Sequence, residues 1–464
     1  MDVKNQRKVG IGYSIGEVAT LIFELVGAYA VYYMTTVRMV NAGTAGSVMS
    51  GATIAAALTS IVIGYIIDRY GLSKRKVSYA AFAITCILFL LFYAPVGFTG
   101  GAMVVYLGMT GIFFYVAYNC FITPYDSMGG DIVTDSGVRT FMRTLCTIFI
   151  FIGVIFADTI STYIRAWLTG AGMGEYMSWF VMALILVAVS VIAILIALIT
   201  TKGAAQPQTT AEISDRKGNI VSSYIETLKV KEVRVIFFWS IAYYIVNMFT
   251  TTLLLYMGMY VLGLSEAVSA TLFVVCVAAT IVASPLTPLL SGRLGKKKAF
   301  LLMSFVYLIY SIYLLINNQS GLIDGIIYAA SFSIVNVVVQ SLSFSMLYDV
   351  NEVVEFKLGV SKGTETLGLL NGGTAIGYAI GTFLAGQVLS LGGFDGSVLE
   401  QSQKTVDFIH YGCVIIPALF VIISALIVLV GYKVNEKNHE KLVEALQLKR
   451  EGKEYSTEGF EELL

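Results

Sequence analysis

The chain is predicted to be an all-α membrane protein of twelve transmembrane helices in two six-helix halves, and three observations carry that prediction. Of its 464 residues 57% are apolar and 13% charged, with a mean hydropathy of +0.79, a balance outside that of soluble globular chains. Apolar runs of the length that crosses a bilayer core about 30 Å thick recur along the chain. Its basic residues fall almost entirely in every second gap between those runs.

Lys4, Arg7 and Lys8 precede the first run, at 12–36, which is too long for a signal-peptide core and lacks a small-residue cleavage pattern. Further runs follow at 44–66, 77–96, 101–125, 142–164 and 177–200. The chain then turns hydrophilic from Thr201 to Arg234, and runs resume at 235–260, 265–289, 299–316, 323–348, 363–391 and 409–432. This divides the chain into a first bundle (1–200), a linker (201–234), a second bundle (235–432) and a charged tail (433–464) whose periodic Leu and Val predict a short helix. With both ends placed in the cytosol, 27 of the 30 Lys and Arg lie inside and only Arg38, Arg165 and Lys404 outside. That is the positive-inside pattern of a cytoplasmic-membrane protein with twelve spans.

Composition also excludes functions. A net charge of zero gives a nucleic-acid partner no electrostatic support. The cysteines Cys86, Cys120, Cys146, Cys276 and Cys413 all sit in apolar stretches without C-x-x-C spacing and read as small core residues. With only His410 and His439 in the chain, neither a zinc site nor a Ser-His-Asp triad is supported. No metal, cofactor or enzymatic activity is expected.

The halves echo each other. IGYIIDRYGLSKRK (63–76) and LLSGRLGKKK (289–298) occupy corresponding loops, and PYDSMGGD (124–131) and LYDVNEVVE (347–355) end corresponding spans. Repeated halves around a central site are one transporter architecture. Gly64, Asp68, Arg69, Gly71 and Arg75 resemble the G-x-x-x-D-R-x-G-x-x-x-R loop of the major facilitator superfamily. Several segments in order, GYSIGE (12–17), GYIIDR (64–69), ITPYDSMGGDIVTDSGVRT (122–140), YMGMYVLG (256–263) and YDVNEVVEFKLG (348–359), resemble its glycoside-pentoside-hexuronide cation symporters, the melibiose permease group. The resemblance implies the major facilitator fold and alternating-access transport of a sugar or glycoside. Departures accompany it. The two span-two acids of the family's cation site fall on Ala56 and Ser60, the Asn or Asp opening its N-I-P-Y segment on Ile122, and a span-eleven lysine on Ala375. Sodium coupling by the family's route is therefore not expected.

Ionisable groups inside spans cost about 2.5–3.5 kcal/mol on insertion scales and mark candidate sites. Glu17, Thr20 and Glu24 share one face of span one. Glu24 reads as a proton acceptor or solute-binding carboxylate, or as a structural hydrogen-bond partner. Asn119 and Asp126 share a face of span four with Tyr115; Asp126 is either site-facing or a solvated helix end. Arg143 begins span five, where the resembled family keeps a sugar-binding arginine at a different spacing, and Asp158 in the same span is a site residue or a structural partner. Asn247 and Gln340 are hydrogen-bonding candidates from the second half, or packing contacts. At the inner mouth Asp68, Arg69 and Arg139 with Arg143, and Asp349, Glu352 and Glu355 from the second half, form either an inter-half ionic gate or ordinary solvated charges.

These readings converge on a monomeric secondary transporter of a small polar solute in the lipid bilayer, with a proton, carried by Glu24 or Asp126, preferred over sodium as the coupling ion. An uncoupled facilitator or an exporter of a non-sugar or amphipathic solute is the alternative. A membrane-embedded receptor or enzyme is disfavoured by the repeated halves and the lack of a catalytic cluster.

Overall fold

A computed structural model describes residues 3–70, 72–133, 136–204, 220–317, 319–359, 363–398 and 400–463. Every regular element among them is helical, the outcome a bilayer imposes, since an apolar medium leaves backbone N–H and C=O groups no partner but the chain itself. In order the helices are α1 (Val3–Tyr32), α2 (Ala42–Tyr70), α3 (Lys74–Phe92), α4 (Gly100–Asp131), α5 (Ser136–Val154), α6 (Ser161–Gly170), α7 (Glu175–Thr200), α8 (Ile220–Lys229) and α9 (Lys231–Tyr256). Then come α10 (Glu266–Ala283), α11 (Leu286–Leu294), α12 (Lys296–Ile316), α13 (Gly321–Leu358), α14 (Gly363–Gly392), α15 (Gln403–Gly431) and α16 (Glu436–Arg450). Wider π turns follow α1 (Tyr33–Val37), α5 (Ile155–Ile160) and α9 (Met257–Val261).

Ten helical stretches among the described residues are long and apolar enough to cross a membrane, and they coincide with spans three to twelve of the sequence. Helices α1 and α2 stand where spans one and two are expected and are 30 and 29 residues long. Three details differ from the sequence reading. The hydrophilic stretch 201–234 ends in helix, α8 and the start of α9, with 205–219 outside the described residues. Span eight breaks at Ser284–Pro285, where proline disfavours helix in the residue before it. Span ten does not stop near residue 348: α13 runs for 38 residues, about 57 Å at 1.5 Å per residue, to Gly359 at φ 73, so Asp349, Glu352 and Glu355 ride on helix.

By internal contacts the chain forms two units that do not follow the sequence halves. The first comprises Met1–Arg216, Leu254–Val274 and Thr382–Ile409; the second comprises Lys217–Leu253, Val275–Gly381 and His410–Leu464. One end of each of four second-half spans thus falls in the first unit.

In the first unit Phe23 packs edge-on against Phe89 (5.1 Å) and also meets Phe82 and Phe114, tying α1 to α3 and α4. Helix α14 crosses α2 at Gly46 and Gly386 so closely that a Cβ on Gly386 would stand 2.7 Å from the Ala42 carbonyl oxygen. Small residues permit such contact, and dispersion at that distance holds helices together where lipid is as apolar as leucine. In the second unit Trp239 stacks on Tyr243 (5.5 Å) and meets Phe300 edge-on. Helix α16 opens with an Asn435–Asn438 capping box and lays Leu442, Ala445 and Leu446 into the same core as Val350, Val353 and Phe356 of α13.

Candidate transport site

On α1 Glu17 and Thr20 are buried at 4% and 1% exposure, and the Thr20 hydroxyl donates to the Glu17 carboxylate at 3.1 Å. Tyr118 of α4 donates to the Thr20 carbonyl at 3.0 Å, so this polar face is turned into the first unit. Glu24 lies one turn further along α1; its side chain is outside the described residues, as are those of Asp68, Arg69, Arg139 and Arg143.

Asn119 of α4 is half-buried and accepts a 2.6 Å hydrogen bond from Ser60 of α2. Its amide donates to the Tyr115 carbonyl at 2.9 Å. Ser60 holds one of the two positions where the resembled symporters keep a cation-binding acid, and Ala56, the other, is buried. A neutral hydrogen bond therefore stands where a pair of carboxylates would be. Asp126 is exposed near the C-terminal end of α4.

Asp158 is fully buried in the Ile155–Ile160 π turn, and neither carboxylate oxygen has a hydrogen-bond partner among the described residues. Its surroundings are nonetheless polar. Tyr29 of α1 donates to the Asp158 backbone carbonyl at 2.8 Å, and a small cavity beside the turn is lined by Tyr29, Tyr93, Ser161, Thr162, Arg165 and Trp179. Arg165 lies 4.3 Å above the Trp179 ring and forms an ion pair with Glu266 at the start of α10. Thr159 donates to the Ala270 carbonyl at 3.2 Å. Thr35, in the π turn after α1, bonds the Tyr256 hydroxyl at 2.6 Å. These contacts all lie within the first unit and join the π turns after α1 and α5, and α6, to the end of α9 and the start of α10.

Arg38 and Arg165, two of the three basic residues on the minority side, are thus both engaged. Arg38 is 9% exposed and donates to the Tyr33 hydroxyl at 2.7 Å and to the carbonyls of Val96 and Ala94. Sequence reasoning named neither as a site residue, nor Glu266. The available signal was a cation set in or beside an apolar run against the prevailing charge pattern.

In the second unit Asn247 donates to Asn336 at 3.2 Å, beside a cleft lined by Tyr243, Ser304, Tyr307, Asn336 and Ser424. Gln340 is exposed on α13 and hydrogen-bonds Tyr244. Asp349 is buried and has local partners: Lys296 at 2.6 Å and the Tyr432 hydroxyl at 3.1 Å. Glu352 meets His439 of α16 at 2.5 Å, and Glu355 is half-buried. Asp349 and Glu352 therefore have partners on α12, on α16 and just past the end of α15, which sequence spacing alone does not reveal.

Residues 12–436 match the family model described as MFS/sugar transport protein. The chain belongs to that family. Among its curated relatives, the isoprimeverose transporter of Lactiplantibacillus pentosus is 24% identical over 455 residues, covering 94% of this chain and 90% of that protein. The inner membrane symporter YicJ of Escherichia coli (strain K12) is 21% identical, covering 95% and 94%. Among solved structures, a bacterial homologue of the human lysosomal transporter Spinster superposes with a TM-score of 0.67 at 13% identity over 93% of this chain and 98% of that one. The nucleoside transporter NupG superposes with a TM-score of 0.59 at 15% identity, over 91% and 99%. At those identities the likeness speaks for the fold, which is the facilitator fold. This family member is a multi-pass membrane protein and a secondary transporter of a small solute, not an enzyme.

Proposed function

We propose that the protein is a proton-coupled symporter of a sugar or glycoside in the cytoplasmic membrane, working as a monomer by alternating access with both termini in the cytosol. The observation that carries the coupling is the Ser60–Asn119 hydrogen bond, which leaves the resembled family's sodium position without charge. Carboxylates in the first-half spans instead include Glu17, Glu24, Asp126 and Asp158. A carboxylate that binds and releases one proton per cycle suffices for uphill transport, whereas exchange proceeds with the carrier always loaded. The sugar assignment is supported by the family and by the isoprimeverose transporter's likeness over most of both chains.

We take the Glu17–Thr20–Glu24 face of α1, Asn119 and Asp126 of α4 and Arg143 as the candidate solute-contacting residues of the first unit, and Asn247 and Gln340 as those of the second. The test uses proteoliposomes, isoprimeverose as the probe, and counterflow measured beside pH-driven uptake. Glu24→Gln and Asp158→Asn are compared with the parent. One of them is expected to keep counterflow and lose accumulation. Accumulation by both variants equal to the parent, or parental uptake driven by sodium and indifferent to pH, refutes the reading.

A further inference from the structure

Asp158 and Arg165 are seven residues apart along α6 and the π turn that precedes it, about 10 Å of helix rise. The cavity lined by Tyr29, Ser161 and Thr162 reaches Arg165, and Tyr29 also bonds the Asp158 backbone. Across from them, Glu266 on α10 holds the Arg165 guanidinium. In this conformation the cation serves one carboxylate, Glu266, and the region's second carboxylate, Asp158, is joined to the same cavity through Tyr29. Asp158 is fully buried without a partner among the described residues, and an unpaired charge in that position is disfavoured by several kcal/mol.

We infer that Asp158 and Glu266 compete for Arg165, so that proton loading at Asp158 and closure of the outer mouth are one event. This rests on the proton-coupled reading above. With the outer mouth open, Arg165 neutralises the Asp158 carboxylate. A proton from the outer aqueous phase then binds Asp158 as the carboxylic acid, and the guanidinium, unchanged in charge, leaves it for Glu266 and draws α10 onto α6. Thr159 next to Asp158 completes the closure through the Ala270 carbonyl. On the inward side Asp158 gives the proton to inner water, and its restored charge draws Arg165 back from Glu266. The other titratable groups around the pair are Tyr29 and Tyr32 of α1, Tyr93 after α3 and Glu175 of α7. Tyr29 donates to the Asp158 backbone carbonyl and Glu175 is exposed at the start of its helix, so Asp158 is the buried carboxylate that switches.

The experiment reads conformation rather than transport. Ala270, fully buried in the closed outer mouth, is replaced by cysteine and labelled from outside with an impermeant maleimide, normalised to a cysteine at exposed Ala171. In the parent the normalised rate rises with pH, by at most tenfold per pH unit for a single linked proton. In Asp158→Asn it stays low and flat, because a neutral side chain never claims Arg165. In Glu266→Gln it stays high at every pH, which keeps the test decisive where the first variant folds poorly. A parental rate that ignores pH, an Asp158→Asn rate that follows the parent's pH profile, or a Glu266→Gln rate equal to the parent's overturns the competition. Proton-driven uptake of the parent, measured in the same vesicles, reports separately on the proposed function: uptake with a flat labelling profile removes the switch and leaves the symporter standing.

Discussion

The crossing of α2 and α14 sets how tightly the outer side closes, and Gly386→Ala tests it with one methyl group. A Cβ on Gly386 stands 2.7 Å from both the Ala42 carbonyl oxygen and the Gly46 Cα, whereas ordinary contact starts at 3.4 Å; the difference, 3.4 − 2.7 = 0.7 Å, must come from helix separation. Both atoms belong to backbone, so no side chain can turn aside. Overpacking of this kind costs about 1–3 kcal/mol. The cost falls only on the state in which these helices touch, because an open outer mouth parts them. At about 1.4 kcal/mol per factor of ten, the closed state loses roughly five- to 150-fold in population relative to the open one. The assay is external labelling of the Ala270→Cys reporter in the Gly386→Ala background at fixed pH, beside counterflow. The expected result is faster labelling with slower counterflow and an intact fold by size-exclusion profile. Labelling and counterflow both equal to the parent would falsify the claim that this contact gates the exterior, whereas loss of the folded peak would show that the crossing is needed in every state.

Two further outcomes follow from the same structure. Asp349→Asn leaves Lys296 without its anion, and because the lysine side chain is 29% exposed the loss is set below the full buried-pair value, at about 1–3 kcal/mol; a lower melting temperature in detergent is expected, and an unchanged one means the pair contributes nothing. Cysteines introduced at Gln208 and Ser456 should resist impermeant label applied outside intact cells, since the 27-to-3 division of basic residues puts both positions in the cytosol; ready labelling inverts the topology.

Spans three to twelve were legible because the bilayer imposes a length and a composition on any helix that crosses it, and α9, α10, α12 and α15 satisfy both without help from their neighbours. The first two are harder to read. Helix α1 carries Lys8, Glu17 and Glu24, and α2 is built of Gly, Ala, Ser and Thr that suit close packing more than lipid. Site residues were legible only as types. Asp158 stood out as an acid in an apolar run, yet the absence of a partner for its oxygens among the described residues, and the pairing of Arg165 with Glu266 more than a hundred positions away, come from packing that the sequence does not spell out. Likewise the inner acids suggested an ionic gate, and the local claims of Lys296, Tyr432 and His439 on them arise from how α12, α16 and α13 pack, which spacing along the chain does not encode.

The three π turns carry a consequence for comparing this chain with its relatives. A π turn bonds i to i+5 where an α-helix bonds i to i+4, so each holds one surplus residue. Whatever follows is out of phase with the helix before it by about 100°, the rotation of a single helical residue. An alignment that runs gap-free through Ile155–Ile160 against a relative with a plain α-helix there assigns every later position of the span to the wrong face. Removing one residue from that turn would leave the composition of the span nearly untouched and swing Arg165 a quarter of a turn away from Trp179, Glu266 and the Asp158 face at once.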